Sequence, residues 1–277
     1  MEINYSIDKA RFRVELRVTD VWCHLDILKV EPNCKYYQKY SIKEYRHNFN
    51  FEDYNIWGEK CSFWLGVHHN SKSVCSDTID VVVEYNPNKC VGAFLLDYIL
   101  DKFFRNNPHV QVRKIDVAVD IPVNILRVKP IKDRRDMTII DKGSDNRTYY
   151  VGAPGSDGRI KIYNKSRESK LSYDLTRYEI TICPKFDIDS MVKGYKFDSG
   201  YLLDIVALDC LQMDFDMKGQ DCLNLFACMD NPGLLSLLDK RKAKKIKDML
   251  SSIGSVEFDT GTISSTIVDF LKTIYTL

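Results

Sequence analysis

Residues 159–168, RIKIYNKSRE, alternate between apolar and basic side chains in the way that is typical of a β-strand. Successive side chains of a strand point to opposite faces, so Ile160, Ile162 and Asn164 share one face. The other face carries the remaining residues of the strand: Arg159, Lys161, Tyr163 and Lys165. The stretch therefore predicts a strand that places one tyrosine in a row of cations.

The surroundings of this strand resemble an earlier part of the chain. Residues 62–85 read as a hairpin whose second strand ends in Tyr-Asn, and a helical pattern at 92–104 leads to a strand at 112–122. Residues 148–165 read as a second hairpin that ends in Tyr-Asn, and a shorter connection leads to a strand at 175–182. The order of elements thus predicts an internal repeat.

The repeat matches particular residues to one another. Tyr85 corresponds to Tyr163, and Asp116 corresponds to Glu179, because each acid follows a basic residue by two positions in its strand. Two such halves would be related by a pseudo-twofold axis, with the acids of the inner strands converging.

The fold class predicted from these patterns is α+β, with an antiparallel or mixed sheet. Residues 1–20 add another alternating strand, and after about residue 186 the apolar period changes from that of strands to that of helices. We therefore predict a β-rich catalytic region at 1–185 and a helical C-terminal region at 186–277.

Composition excludes several classes of function. The net charge is only +1, so affinity for a polyanion must come from local patches. Nine cysteines without a C-x-x-C pair or a secretory signal predict reduced thiols in a cytoplasmic protein. No apolar run is long enough for a membrane span. The Gly-rich stretch 152–158 lacks the Lys-Ser/Thr of a nucleotide-binding P-loop, which argues against an ATPase.

Three predicted strands each carry an acid among apolar neighbours, namely Glu84, Asp116 and Glu179. A carboxylate in such a place is costly unless it is paired or bound to a metal, and oxygen ligands suit Mg²⁺ or Mn²⁺. Asp120 shares the face of Asp116. The alternative interpretation is that the acids form ion pairs with nearby cations: Arg113, Lys114, Lys161 or Arg177.

Tyr163 is a candidate nucleophile. A phenol has a pKa near ~10, and neighbouring cations or a metal would favour the phenolate and attract a phosphodiester. Lys161 and Lys165 flank Tyr163 on its own face. The alternative is an ordinary amphipathic strand residue, since the chain has 16 tyrosines.

Five segments in order resemble the rolling-circle replication initiators of Gram-positive plasmids, integrative elements and phages. The segments are YSIDKARFRVEL, VEYNPNK, RKIDVAVDIP, YYVGAPGSDGRIKIYNKSRE and TRYEITI, within residues 1–185. They are similar, more distantly, to the gene II nicking proteins of filamentous phages.

The resemblance implies a metal-dependent nickase that attacks origin DNA with Tyr163, with Lys165 beside it, and leaves a 5′-phosphotyrosyl link and a free 3′-OH. It implies that Glu84, Asp116 and Glu179 surround Mg²⁺ or Mn²⁺, with Asp120 a weaker candidate. Glu168 ends the tyrosine motif without an assigned role. The alternative nucleophiles are Tyr149 and Tyr150, which lie next to a glycine turn.

Origin DNA is the partner implied, with a helicase from the host or the element and a possible homodimer. The basic residues predicted to contact phosphates are Arg159, Lys161, Arg134, Arg135, Lys242, Lys244 and Lys245. The aromatic residues predicted to stack on unpaired bases are Trp64, Tyr149 and Tyr150. The helical region 186–277 would bind origin duplex. Two other functions remain open: a non-catalytic protein that binds single-stranded nucleic acid, and a viral or mobile-element protein that interacts with its host.

Overall fold

The computed structural model describes eight stretches of the chain: residues 2–39, 45–69, 77–105, 107–131, 135–143, 145–207, 219–252 and 256–275. Their fold is α+β, as predicted. The strands are β1 (Asn4–Arg17), β2 (Cys34–Gln38), β3 (His47–Tyr54), β4 (Lys60–His69), β5 (Thr78–Tyr85), β6 (Gln111–Ile121), β7 (Val128–Pro130), β8 (Met137–Asp141), β9 (Arg147–Val151), β10 (Arg159–Asn164), β11 (Thr176–Ile182) and β12 (Ile205–Ala207). The α-helices are α1 (Val18–Lys29), α2 (Phe94–Ile99), α3 (Lys165–Ser169), α4 (Ile188–Gly194), α5 (Gly219–Asp230), α6 (Lys240–Ser252) and α7 (Thr260–Lys272).

The chain divides into two compact units, and each is assembled from separate stretches. The unit that we call the tyrosine unit contains Met1–Tyr5, Ala118–Thr181 and Asp198–Thr260. The tryptophan unit contains Ser6–Val117, Ile182–Phe197 and Gly261–Leu277, and with them all three tryptophans of the chain. Each unit draws on both sides of residue 185, so the compact units do not coincide with the regions 1–185 and 186–277.

An antiparallel sheet dominates each unit. In the tryptophan unit the strand order is β2-β3-β4-β5-β1-β6, and the first five strands pair antiparallel. In the tyrosine unit the order is β11-β10-β9-β8, also antiparallel, and β7 pairs with β12 separately. Alternating side chains such as Phe12 and Val14 of β1, both buried, form the apolar face that makes these segments strands.

The predicted repeat holds for the order of elements and fails for strand neighbours. A hairpin, a helix and a strand follow one another twice, as β4-β5-α2-β6 and as β9-β10-α3-β11. β10 and β11 pair directly, whereas β1 lies between β5 and β6. Tyr85 therefore pairs with Ala10 of β1 and is buried against Phe12, while Tyr163 pairs with Arg177. The correspondence of Tyr85 with Tyr163 is thus one of sequence order only.

One stretch predicted as helix is partly a strand. Within residues 200–213, Ile205–Ala207 form β12, which pairs with β7 and buries Ile205 and Val206. Residues 208–218 lie outside the described residues. The seven cysteines that the structure describes are free thiols. Among the described residues, no helix is long and apolar enough to cross a membrane.

Candidate active site around Tyr163

β10 brings Tyr163 to the side of the sheet opposite its apolar residues. Ile160 and Ile162 are fully buried, and their cross-strand partners on β11 are Ile180 and Tyr178. The strand ends at Asn164, one residue earlier than predicted, because its side chain accepts a hydrogen bond from the backbone N–H of Arg167 at 2.9 Å and caps α3. Lys165 therefore belongs to a helix and not to the strand face.

The hydroxyl of Tyr163 donates a hydrogen bond to Glu179 Oε1 at 2.7 Å. Lys161 Nζ lies 3.6 Å from the centroid of the Tyr163 ring and also 3.6 Å from Glu179 Oε2. Lys161 and Glu179 are direct cross-strand partners, so the register of β10 on β11 sets the geometry of all three groups. A phenol, a carboxylate and an ammonium group thus form one compact cluster.

The pKa of Tyr163 is raised well above its ordinary value. Burial is the main cause, since only 6% of the residue is exposed, and the charge and hydrogen bond of Glu179 add to it; the charge of Arg177 opposes the shift. The expectation that the surrounding cations would favour the phenolate is wrong, because burial and the charge of Glu179 outweigh the opposing charge of Arg177. Tyr163 is a protonated phenol at neutral pH.

Lys165 pairs with Glu168 within α3, Nζ to Oε2 at 2.5 Å. Burial works to raise the pKa of Glu168, but the hydrogen bond and charge of Lys165 outweigh it, and the net pKa is lowered. Glu168, whose role the sequence left open, is thus the ion-pair partner of Lys165.

A cleft of about 310 Å³ opens beside Tyr163. Its walls include Thr148, Asn164 and two arginines, Arg147 and Arg167. Each arginine is held by an acid of the same unit: Arg147 Nε lies 2.8 Å from Asp141 Oδ2, and Arg167 lies 2.8 Å from Asp145. The cleft thus places two acid-paired arginines and one carboxylate, Glu168, around the tyrosine.

The two alternative nucleophiles have different surroundings. Tyr149 is 1% exposed and faces the apolar side with Ile162, so it is a core residue and not a base-stacking surface. Tyr150 is partly exposed, and the guanidinium carbon of Arg159 lies 5.0 Å from its ring centroid. Tyr150 thus has a cation beside its ring, but no carboxylate hydrogen bond to its hydroxyl is found in the described part of the chain.

The three predicted metal ligands are divided between the two units. Glu84 and Asp116 belong to the tryptophan unit and Glu179 to the tyrosine unit. Glu84 pairs with Lys9 at 3.1 Å and with Arg11, and Asp116 pairs with Lys114 at 2.8 Å. Within the described residues, no group of three His, Cys, Asp or Glu side chains is placed to hold a metal. The geometry fits the ion-pair alternative better than a Mg²⁺ or Mn²⁺ site.

Asp120 is also an ion-pair acid. It forms two hydrogen bonds of 2.7 Å with Arg177, whose side chain is only 9% exposed. Sequence reasoning placed Arg177 among the possible partners but missed Lys9 and Arg11, which alternate on β1 and reach Glu84 only because β1 pairs with β5.

The basic residues predicted to contact phosphates have different surroundings in the structure. Arg135 donates hydrogen bonds to the carbonyls of Gly158 and Tyr201 at 2.8 and 2.9 Å, so its prediction as a DNA contact is corrected to an internal role. Gly158 has a φ of +71°, and a Cβ there would lie 2.7 Å from the Tyr201 ring, which explains the glycine. Arg159 and Lys161 lie against Tyr150 and Tyr163, and Arg134 is outside the described residues.

The basic residues of α6 face solvent. Ile246 and Leu250 bury one side of the helix in an apolar cluster with Leu225, which leaves the basic side exposed. Lys245 pairs with Asp221 at 2.5 Å and Lys242 with Asp239 at 3.5 Å. The exposed positions of this face are Lys240, Arg241, Lys242, Lys244, Lys245 and Lys247.

Comparison with known proteins gives a weak structural likeness. No family profile and no curated protein matches the sequence. Among solved structures, the chain is similar to a rolling circle replication initiator protein from Geobacillus stearothermophilus, at 16% identity and a TM-score of 0.38, over 66% of this chain and 75% of that chain. We transfer no residue role from that likeness.

Proposed function

We propose that the chain is a replication initiator that nicks and rejoins origin DNA through a 5′-phosphotyrosyl intermediate and so starts rolling-circle replication. The observation that carries the proposal is the hydrogen bond from Tyr163 to Glu179, beside Lys161 and at a cleft whose lining includes Arg147 and Arg167. A nucleophile within hydrogen-bond distance of a base is the arrangement that covalent catalysis requires.

The chemistry follows from these groups. Tyr163 attacks the scissile phosphorus while its proton passes to Glu179, the bond from phosphorus to the 3′ oxygen breaks, and that oxygen takes up a proton from water to become a 3′-OH. Lys161 stabilises the charge on the phosphoryl oxygens in the transition state. Rejoining is the reverse attack by a 3′-OH, with the proton returning from Glu179 to the phenol.

The described residues do not supply a ligand set for a metal ion, so the steps above use only side chains of the protein. The Mg²⁺ or Mn²⁺ requirement implied by the family resemblance remains part of the proposal. It is tested by running the cleavage reaction with each ion and with a chelator.

The exposed basic face of α6 is proposed to bind duplex phosphates near the nick site. The three lysines of this helix that the sequence predicts as phosphate contacts are exposed to solvent: Lys242, Lys244 and Lys245. A helicase and a second copy of the chain are proposed partners.

A non-catalytic protein that binds single-stranded DNA is the second candidate, favoured by the protonated and buried state of Tyr163. Incubation of the chain with single-stranded and supercoiled DNA of its own replicon separates the two. The proposal predicts a covalent adduct with the wild type and with Tyr150→Phe, and none with Tyr163→Phe. An adduct that survives Tyr163→Phe, or no adduct with any such DNA, would overturn it.

A further inference from the structure

A row of side chains crosses five strands of the tryptophan unit on one face. The registers of β2 to β5 and β1 pair Lys35 with Asn50, Asn50 with Trp64, Trp64 with Glu84, and Glu84 with Arg11. Neighbouring strands lie about 4.8 Å apart, so the row is about 19 Å long. It contains a cation at each end, an aromatic ring in the middle and an amide beside the ring.

The ring of Trp64 lies along the sheet and does not point away from it. A Cβ at Gly66 would lie 2.4 Å from two of its ring atoms, so the ring covers Gly66. Trp64 Nε1 donates to Asn48 Oδ1 at 3.2 Å, and the guanidinium carbon of Arg11 lies 6.0 Å from the ring centroid. The ring is half-buried, hydrogen-bonded at its Nε1 edge and packed in a T-shaped arrangement against the Tyr45 ring with centroids 5.2 Å apart, so its position is fixed.

A surface cleft of about 780 Å³ lies over four residues of this row, Lys35, Asn50, Trp64 and Glu84. Polar groups that can form hydrogen bonds line it, among them Asn50, Ser62 and Asn86. Its four lysines are Lys9, Lys35, Lys60 and Lys89, and its three acids are Asp8, Glu52 and Glu84. Glu84 is paired with Lys9 and Arg11, and Glu52 with Lys60 at 2.8 Å, so the acids orient cations along the rim.

We infer that this cleft binds a short segment of unpaired DNA, with a base on Trp64 and phosphates on the lysine rim. Aromatic stacking combined with cations that follow the backbone is how proteins hold single strands without reading a sequence. The choice of DNA over RNA rests on the proposed function. The cleft belongs to the tryptophan unit and is not lined by Tyr163. Binding of DNA there breaks no covalent bond.

The test is fluorescence anisotropy of a labelled twelve-nucleotide oligothymidine, measured on the Tyr163→Phe chain so that no covalent capture contributes. Lys35→Glu/Lys89→Glu should lower the slope of log affinity against log salt by about 1.4, at about 0.7 per lost phosphate contact. The control Lys102→Glu/Lys193→Glu makes the same charge change on exposed lysines of the same unit outside the cleft, and should leave the slope unchanged. Equal effects of the two double variants would overturn the inference.

Two single variants test the ring and the acid. Trp64→Phe should weaken binding about tenfold through lost stacking, and Asn50→Asp gives a second measure of the same site if Trp64→Phe fails to fold. Glu84→Gln should tighten binding, because it releases Lys9 and Arg11 for phosphate. Weaker binding by Glu84→Gln, or equal affinity for a duplex of the same length, would contradict the cleft as a single-strand site.

The same anisotropy measurement with a labelled oligouridine of equal length decides between DNA and RNA. Loss of nicking by the wild type with these effects intact would overturn the proposed function and leave the cleft standing.

Discussion

At the scale of single residues, the account depends on two roles of Glu179 toward one hydroxyl. In the resting protein Glu179 and burial keep Tyr163 protonated, which lowers its reactivity. The same 2.7 Å hydrogen bond places the carboxylate where it can take the proton during attack. Under the proposed function, Tyr163 would react only when a phosphodiester occupies the cleft, because proton transfer to Glu179 would then accompany bond formation.

Glu179→Gln should therefore lower the rate of covalent adduct formation by about 10²–10⁴-fold, since the amide retains the hydrogen-bond geometry but cannot act as a base. Single-turnover cleavage at saturating oligonucleotide measures the effect. Glu257→Gln is the matched control, and it should change the rate much less because Glu257 is an exposed acid of the same unit that does not line the cleft. Similar losses in both variants would show that general charge, and not the base, matters.

Arg177 supports the same site from the neighbouring strand. Its side chain is almost fully buried with Asp120, so Arg177→Met would leave an unpaired buried carboxylate and should lower the free energy of unfolding by about 3–5 kcal/mol. Arg167→Met removes an exposed pair with Asp145 and should cost under about 1 kcal/mol. Urea unfolding followed by circular dichroism compares the two, and equal losses would contradict the assignment of a buried pair.

At the scale of elements, alternation predicted the central strands correctly, and it failed where the signal was short or weak. Residues 78–85 and 159–164 are strands as predicted, because each places apolar residues on one face. α1 was missed because only Val21, Leu25 and Leu28 are buried in a helix of twelve residues. β12 was taken for helix because three residues of buried strand carry no period.

The partners of the acids could not be predicted, for a reason that also belongs to this scale. Whether Glu84 meets a metal or a cation depends on which strand lies beside β5, and Arg11 of that strand is 73 residues earlier in the chain. Spacing within a strand fixes the face of a side chain but not the strand across from it. The pair of Lys161 and Glu179 was within reach of prediction, because β10 and β11 follow each other closely.

Gly66 offers a test of the Trp64 platform at the level of the strand. Because a Cβ at Gly66 would meet the Trp64 ring at 2.4 Å, Gly66→Ala must displace the ring or the strand. We expect a loss of about 1–3 kcal/mol in the free energy of unfolding, the usual range for overpacking. Gly194→Ala is the control, since a Cβ there meets no atom within 4 Å. A Gly66→Ala chain as stable as the control would contradict the position of the ring.

At the scale of the whole molecule, the net charge of +1 results from 40 basic and 39 acidic residues, many of which form local ion pairs. In the folded chain the pKa values of Glu84 and Glu168 are lowered: burial opposes the shift, and the paired cations outweigh it. A carboxyl group whose pKa is lowered in the folded chain stabilises the protein at pH values above its unfolded pKa of about 4.3. This stabilisation is lost as the pH falls through the pKa of the folded state.

The melting temperature should therefore fall on acidification from about pH 5 to about pH 3, through the window set by these carboxyl groups. Calorimetry across that range measures it. Glu84→Gln should flatten the dependence, because it removes one of the groups that bind a proton on unfolding. A variant with an unchanged slope would show that Glu84 is not ion-paired in the folded chain.

The central claim is that Tyr163 becomes covalently joined to DNA. The most direct measurement is mass spectrometry of the peptides from the protein–DNA adduct after nuclease digestion. The account predicts a nucleotide attached to the peptide that contains Tyr163, bonded through the phenolic oxygen to a 5′ phosphate. A nucleotide on the peptide of Tyr150, or on any other residue, would contradict it.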